Sequence, residues 1–507
     1  MPVVAAGRAV RPSLAGLATI RTGPGPRAPE TPDRMLAEDR DAATAPAREG
    51  EWFGHPRGLS ILFFTETWER FSYYGMRAIL ILYMVAPPAQ GGPGFSTAKA
   101  ASIYGWYTML VYAAAIPGGL LADRLLGHSR AVLLGGILIA CGHFSMAIHG
   151  LTFFFGGLAL ICAGTGLLKP NVSTMVGKLY APADPRRDSG FSIFYMGINI
   201  GAMLSPLVCG YLGQRVDWHA GFAAAGVGMT LGLVTFAAGR RWLPSEPSSP
   251  GGGPCGPTIL LAASPAQLLE PSSRRFTAEE RRRLSVIGIL FFFAILFWGA
   301  FEQAGSSLTL FADRYTRLSL LGFSFPSSWF QVEQPLFVLI LAPVFAWMWL
   351  RMGKRQPSSP AKFAAGLLLV GLGFLILVPA AAAAQARGIR VSPLWLTALY
   401  LVHTFGELCL SPVGLSLVTK LAPARIVGLM MGVWFLATAF GNKLAGWVAG
   451  FFDVVPVARL FLLVALAGIG ASLVLALLIR PIRRLAEERP APSDSAAPKA
   501  LEAGSLS

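Results

Sequence analysis

Residues 66–77 read Glu-Thr-Trp-Glu-Arg-Phe-Ser-Tyr-Tyr-Gly-Met-Arg, inside a stretch that is otherwise apolar. Glu66, Glu69, Arg70 and Arg77 offer two carboxylates and two guanidiniums in about three helical turns. At 100° per residue, with Glu66 at zero, Glu69 falls near −60°, Arg70 near +40°, Tyr73 near −20° and Arg77 near +20°. One polar stripe about 100° wide results. Each charge at the centre of a bilayer costs about 2.5–3.5 kcal/mol, and a neighbouring Leu or Phe returns only about 0.3–0.6. Such a helix must turn its stripe toward protein or water and pair its charges. Structural salt bridging of Glu66 to Arg70 at i, i+4 would not need two carboxylates, two guanidiniums and two tyrosines on or beside one face.

Other apolar runs carry polar groups that could answer it. Lys169-Pro170-Asn171 follows a Gly-Thr-Gly stretch, and Pro170 can bend a helix. Asn199 sits among small residues. Glu302 and Gln303 precede Ser306 and Ser307, and Gln331, Glu333 and Gln334 follow in the next run. His403, Thr404, Glu407 and Ser411 share a further run. For Asn199 or His403 alone, a helix–helix hydrogen bond is sufficient explanation. A carboxylate in hydrocarbon, as at Glu407, marks a pathway or proton site. The first half offers cations (Arg70, Arg77, Lys169), whereas the second offers Glu302 and Glu407 and no deep cation of its own. A zwitterionic ligand fits between them, carboxylate toward the first half and ammonium toward the second.

The whole chain must hold these groups in a membrane. It has 507 residues, 54% of them hydrophobic and only 13% charged, with a mean hydropathy of +0.57. Soluble proteins are usually about 25% charged. The reading is an all-α polytopic membrane protein with twelve spans, at roughly 59–86, 97–122, 130–149, 152–179, 188–212, 218–242, 285–312, 326–350, 362–385, 393–420, 426–450 and 456–480. The net charge of +16 sits in alternate short loops, around Arg124, Arg186, Arg240, Arg281, Arg351, Lys420 and Arg480. That bias places both termini in the cytoplasm and the protein in the cell (inner) membrane. The basic clusters lack interleaved aromatics, so nucleic acid is not an expected partner. The five cysteines form no CxxC pair and the six histidines no HExxH spacing, so neither a disulfide framework nor a zinc site is expected.

The organisation follows from composition. Residues 1–57 are expected to be a disordered cytoplasmic tail, in which Met35 is a possible second start. Two six-helix bundles, 58–243 and 284–481, flank a Pro/Gly/Ser-rich linker at 244–283, and 482–507 form a second tail. A weak internal repeat supports the two halves. Leu168 begins L-K-P-N-V-S-T-M-V-G-K-L and Leu410 begins L-S-P-V-G-L-S-L-V-T-K-L, followed by Arg187-x-x-Gly190 and Arg425-x-x-Gly428. The loop from Gly119, G-L-L-A-D-R-L-L-G, resembles the loop between spans two and three of the major facilitator superfamily.

Four ordered motifs carry a closer resemblance. E-T-W-E-R-F-S-Y-Y-G from Glu66, F-Y-M-G-I-N-I-G-A from Phe194, F-E-Q-A-G-S-S-L from Phe301 and G-E-L-C-L-S-P-V-G-L-S from Gly406 resemble those of the proton-dependent oligopeptide transporter family. That family is the peptide branch of the major facilitator superfamily. The resemblance covers about residues 58–480.

It implies import of di- and tripeptides with protons, without a cofactor, by a protein acting as a monomer. Glu66, Glu69, Arg70 and Glu302 would couple protons. Arg70 and Lys169 would face the peptide carboxylate, while Glu407 and Asn199 would hold its amino end. Arg77 would pair with Glu302 as a gate. Tyr73, Tyr74, Tyr107, Trp298, Trp434, Ser411 and Gln334 would line the peptide site. Gln334 stands where many members have Asn, and Glu333 has no counterpart role. The competing reading is a carrier of another small anionic or zwitterionic solute, such as nitrate or an amino-acid derivative. No G-x-S-x-G or zinc spacing suggests an enzyme.

Overall fold

The computed structural model of the protein describes residues 51–181, 184–244, 276–423 and 426–486. Residues 51–54 belong to a unit of their own, with a short extended stretch at Glu51–Trp52, and a second unit begins at His55. Met35, most of the linker, Arg425 and the chain after 486 lie outside the described residues.

The second unit is helical almost throughout. In chain order its helices are α1 (Arg57–Val85), α2 (Thr97–Ala113), α3 (Ala115–Leu121), α4 (His128–Met146), α5 (Leu151–Lys178), α6 (Arg187–Ser205), α7 (Tyr211–Arg215) and α8 (Trp218–Gly239). They continue with α9 (Ala278–Phe301), α10 (Ser307–Tyr315), α11 (Glu333–Met352), α12 (Ser359–Arg387), α13 (Leu394–Leu421), α14 (Val427–Ala449) and α15 (Val457–Ala486). α3 follows α2 after Ala114 and is prolonged by a wide π-type turn at Ala122–Leu126, and a second such turn at Pro206–Gly210 joins α6 to α7 as one continuous rod.

Each predicted span falls on one of these segments. Ten segments among the described residues are long and apolar enough to cross a bilayer. Two long helices lie outside that set: α1, with its five charged residues, and α14, which holds Asn442 and Lys443.

Local chemistry sets the ends. Ser96 accepts from Lys99 N at the start of α2, and Asp217 accepts from His219 N and Ala220 N at the start of α8. Gly388, at φ 62°, ends α12 in the left-handed region.

Three expected boundaries are corrected. α1 opens at Arg57, inside the segment read as tail. α9 opens at Ala278, because Thr277 and Glu280 form a reciprocal capping box that draws residues 278–283 out of the linker. α15 runs to Ala486, with Ile482 buried inside the segment read as the second tail. In both of the last two cases the hydropathy falls before the helix ends, because arginines prolong the helix beyond its apolar core.

α1 packs on α6 and α8, α4 on α5 and α8, α12 on α13 and α15, and α9 on α14. Helices early and late in the chain meet along two seams, α2 against α14 and α6 against α11. Glycines set the closest approaches. A Cβ on Gly201 would lie 2.2 Å from Thr67 O and 3.0 Å from Arg70 Cβ, so α6 rests directly on the charged turn of α1. In the first seam, a Cβ on Gly105 would lie 3.0 Å from Gly446 Cα, and one on Gly446 only 2.5 Å from Gly105 Cα.

Candidate functional site

The polar stripe of α1 is buried, as its cost in lipid requires. Glu66, Glu69, Arg70 and Tyr73 are each at most 2% exposed. Arg70 Nε lies 3.2 Å from Glu66 Oε1 and also donates to Glu69 Oε2. One guanidinium therefore bridges two carboxylates from the preceding turn. Glu66 Oε2 and Arg70 Nη2 are buried without a hydrogen-bond partner among the described residues. The triad thus keeps an acceptor and a donor in reserve. Arg70 also stacks over the Tyr73 ring at 5.4 Å.

Two turns further along α1, Arg77 meets the second half of the chain. Its Nη2 donates to Glu302 Oε2, and its Nε donates to Tyr104 OH at 2.6 Å. Glu302 stands where α9 breaks into a short 3-10 turn, Glu302–Gly305, before α10 resumes. A Cβ on Gly305 would lie 1.7 Å from Tyr104 OH and 2.8 Å from Arg77 Nε. Glycine there is the condition for the three side chains to meet. Gln303 ties the break to α14 by donating to Ala445 O at 3.3 Å, and accepts from Ser307 Oγ at 2.5 Å.

Lys169 is half-buried in the same region and forms no ion pair within 4 Å among the described residues. Its Nζ lies over the Tyr112 ring at 4.0 Å, within electrostatic reach of Glu66, Glu69, Arg70 and Glu302. The expected partner carboxylate is therefore near rather than in contact. Asn171, beside it, faces elsewhere and accepts from His128 Nδ1 at 2.7 Å.

The facing wall comes from α11 and α13. Gln334 Nε2 donates to Glu407 Oε2 at 2.6 Å, which joins two residues predicted separately. Tyr74 lies within electrostatic reach of Arg70, Arg77, Glu302 and Glu407, so the two walls surround a common centre. Asn199 donates its amide to Tyr195 O at 3.0 Å, within its own helix, and His403 bonds Val370 O at 3.1 Å. Trp298 packs edge-on against Phe297 and Phe301, and Trp434 against Phe363. Ser411 is half-buried, and the Tyr73 and Tyr107 hydroxyls have no partner among the described residues.

Sequence reasoning missed two participants. Tyr104 and Tyr112 read as ordinary aromatic residues of a span, and only the fold turns them onto Arg77 and Lys169. Lys443 is a half-buried cation of the second half, and it leaves the expectation of no deep cation there standing. It lies on α14 with its Nζ 4.1 Å from the Trp106 ring of α2, away from the paired carboxylates.

A sequence profile of the POT family matches residues 129–254 and 259–465. The chain is 44% identical to the uncharacterized transporter YclF of Bacillus subtilis, over 89% of this chain and 99% of that protein. It is 41% identical to the peptide transporter YePEPT of Yersinia enterocolitica, over 86% and 96%. Among solved structures, a variant of the peptide transporter POT in complex with alafosfalin superposes with a TM-score of 0.77 at 41% identity, covering 89% of this chain and 99% of that one. A POT family transporter in complex with 5-aminolevulinic acid gives 0.76 at 33% identity, over 85% and 98%.

Proposed function

The chain belongs to the POT family, and on that premise we propose that it is a proton-coupled symporter importing di- and tripeptides across the plasma membrane by alternating access. The observation that carries this reading is the charge arrangement. A carboxylate–guanidinium triad on α1 faces a hydrogen-bonded Glu407–Gln334 pair, with the Arg77–Glu302 ion pair beside them. A zwitterionic peptide is complementary to these two walls.

The steps follow from the pairings. Proton uptake by Glu66 or Glu69 weakens their hold on Arg70. The freed guanidinium, with Lys169, takes the peptide carboxylate, while Glu407 takes the ammonium. Arg77 and Glu302 separate when the outer side opens and rejoin when it closes. In this reading protons are the coupling ion and no cofactor takes part. Residues 58–243 and 284–481 move as two bundles, the termini stay cytoplasmic, and one chain suffices. The chain belongs to a transporter family rather than an enzyme family.

The test is uptake of labelled dialanine into proteoliposomes with and without an inward proton gradient. Accumulation that an uncoupler abolishes is expected. Glu66→Gln should lose gradient-driven uptake yet keep peptide exchange. Uptake by that variant that still follows pH fully would overturn the assignment.

A second reading, transport of an amino-acid derivative, gains support from the family structure with 5-aminolevulinic acid. Competition separates the two. Dialanine uptake unaffected by excess 5-aminolevulinic acid leaves the peptide reading alone.

A further inference from the structure

Glu333 takes no part in the site above, yet it is a carboxylate at a span terminus. It opens α11 and lines a cleft of about 240 Å³ with Thr397 of α13 and the apolar residues Leu207, Phe325, Trp329 and Leu394. In the orientation proposed above, this cleft opens toward the outer leaflet. One carboxylate oxygen, Oε1, accepts from Thr397 Oγ1 at 2.8 Å. The other, Oε2, is buried with no hydrogen-bond partner among the described residues, and so is the indole Nε1 of Trp329. Glu333 offers acceptors only, and indole offers a donor only. Buried polar atoms normally find a partner. One cleft therefore presents an unanswered anion and an unanswered donor within an apolar wall.

The rim narrows the occupant. Leu320 and Leu394 are 40% and 59% exposed, and Trp329 packs at 5.8 Å on the exposed ring of Phe323. Aromatic residues at the ends of spans sit at headgroup level in a bilayer. A soluble peptide would leave that apolar rim in water, whereas a lipid covers it with its chains.

We propose that this cleft binds a phospholipid with a primary ammonium headgroup, phosphatidylethanolamine. Its ammonium donates to Glu333 Oε2. A phosphate or ester oxygen accepts from Trp329 Nε1. Its chains lie over Leu207, Phe325 and Leu394. A quaternary choline headgroup could rest on the rings but has no N–H for Oε2.

The cleft also spans the two halves of the chain. Leu207 belongs to the turn after α6, and the segment before α11 is pinned to α7. Ser328 N donates to Gln214 Oε1 at 2.9 Å, and Gln214 Nε2 donates to Ser327 Oγ at 2.7 Å. A lipid bound here touches both halves at once.

The test reads lipid retention rather than transport, so it stands apart from the substrate assignment. Delipidated protein is offered equimolar phosphatidylethanolamine and phosphatidylcholine, and the retained lipid is read by native mass spectrometry. Wild type should retain the ethanolamine lipid about tenfold over the choline lipid. Mono- and dimethylated ethanolamine lipids should fall between them, a series that needs no variant. Glu333→Leu should bring the ratio to about one. Trp329→Phe should weaken both lipids while keeping the ratio. Glycerophosphoethanolamine, which has the headgroup without the chains, should displace little lipid; full displacement would assign the site to a soluble amine. Equal retention by wild type, or an unchanged ratio in Glu333→Leu, would overturn the proposal.

Discussion

Glu407 sits in a buried wall, where its carboxylate accepts a 2.6 Å hydrogen bond from the Gln334 amide. A hydrogen bond to a charged group contributes about 1.5–3 kcal/mol. Gln334→Leu should therefore raise KM for dialanine by about 10–100-fold, with a smaller change in kcat. Gln334→Asn should fall between, since a shorter amide reaches Glu407 less well. Unchanged KM in Gln334→Leu would remove Glu407 from the peptide site. The Arg77–Glu302 pair calls for a different experiment, because either partner left alone is an uncompensated buried charge. Removing one partner should cost about 3–5 kcal/mol, whereas replacing both by apolar residues is far milder. Thermal unfolding of Arg77→Met, Glu302→Leu and the double variant forms a cycle that measures this coupling. Additive losses would mean that the two residues do not act as a pair.

Among the elements, α1 and α6 explain why two separated motifs occur together. Gly197 and Gly201 lie one turn apart on α6, and each abuts α1 next to its charged turn. The glycines hold the helices close enough that Arg70 stays over its own carboxylates. Gly201→Val should push α6 off α1 at a cost of about 1–3 kcal/mol, and should reduce acid-driven uptake beyond the loss of folded protein. Gly156→Ala is the control, since nothing lies within 4 Å of a Cβ there. A lower thermal midpoint in both variants would refute the close-packing argument.

The same elements show what was legible in the sequence. Charges in an apolar run are expensive, so the α1 stripe and its burial could be read from residues 66–77. The capping box at Thr277 and Glu280 was also in plain view, but hydropathy alone placed that helix start several residues late. Tyr104, Tyr112 and the Gln334–Glu407 bond were not legible. They depend on which face of one helix meets another, and periodicity within a single span does not carry that. The contact of Lys443 with Trp106 was not legible for the same reason, since that aromatic face lies on another helix.

For the whole molecule, the two seams are where helices early and late in the chain meet. On the side opposite the basic loops, Arg314 donates to Asp453 Oδ1 at 2.7 Å and to Thr97 Oγ1 at 3.2 Å, and Thr97 donates to Asp453 Oδ2 at 2.5 Å. Such partly exposed pairs contribute only about 0–1 kcal/mol each. Asp453→Ala should therefore leave folding intact and raise outer access modestly, by up to about fivefold, as read by labelling of a cysteine placed at Gln303. No change in labelling would show that this clasp does not hold the seam.

The contact between Gly105 and Gly446 has a consequence of another kind. Two backbones that close leave no width for a file of water molecules between α2 and α14. A proton needs such a file to leak, so the glycine pair insulates the end of the pathway that the orientation proposed above turns outward. Gly446→Val should wedge the seam and let a pH gradient collapse across proteoliposomes even without peptide. A gradient as long-lived as in wild type would place the insulation elsewhere. Coupling efficiency, the protons used per peptide delivered, would then be set in part by two residues that carry no functional group.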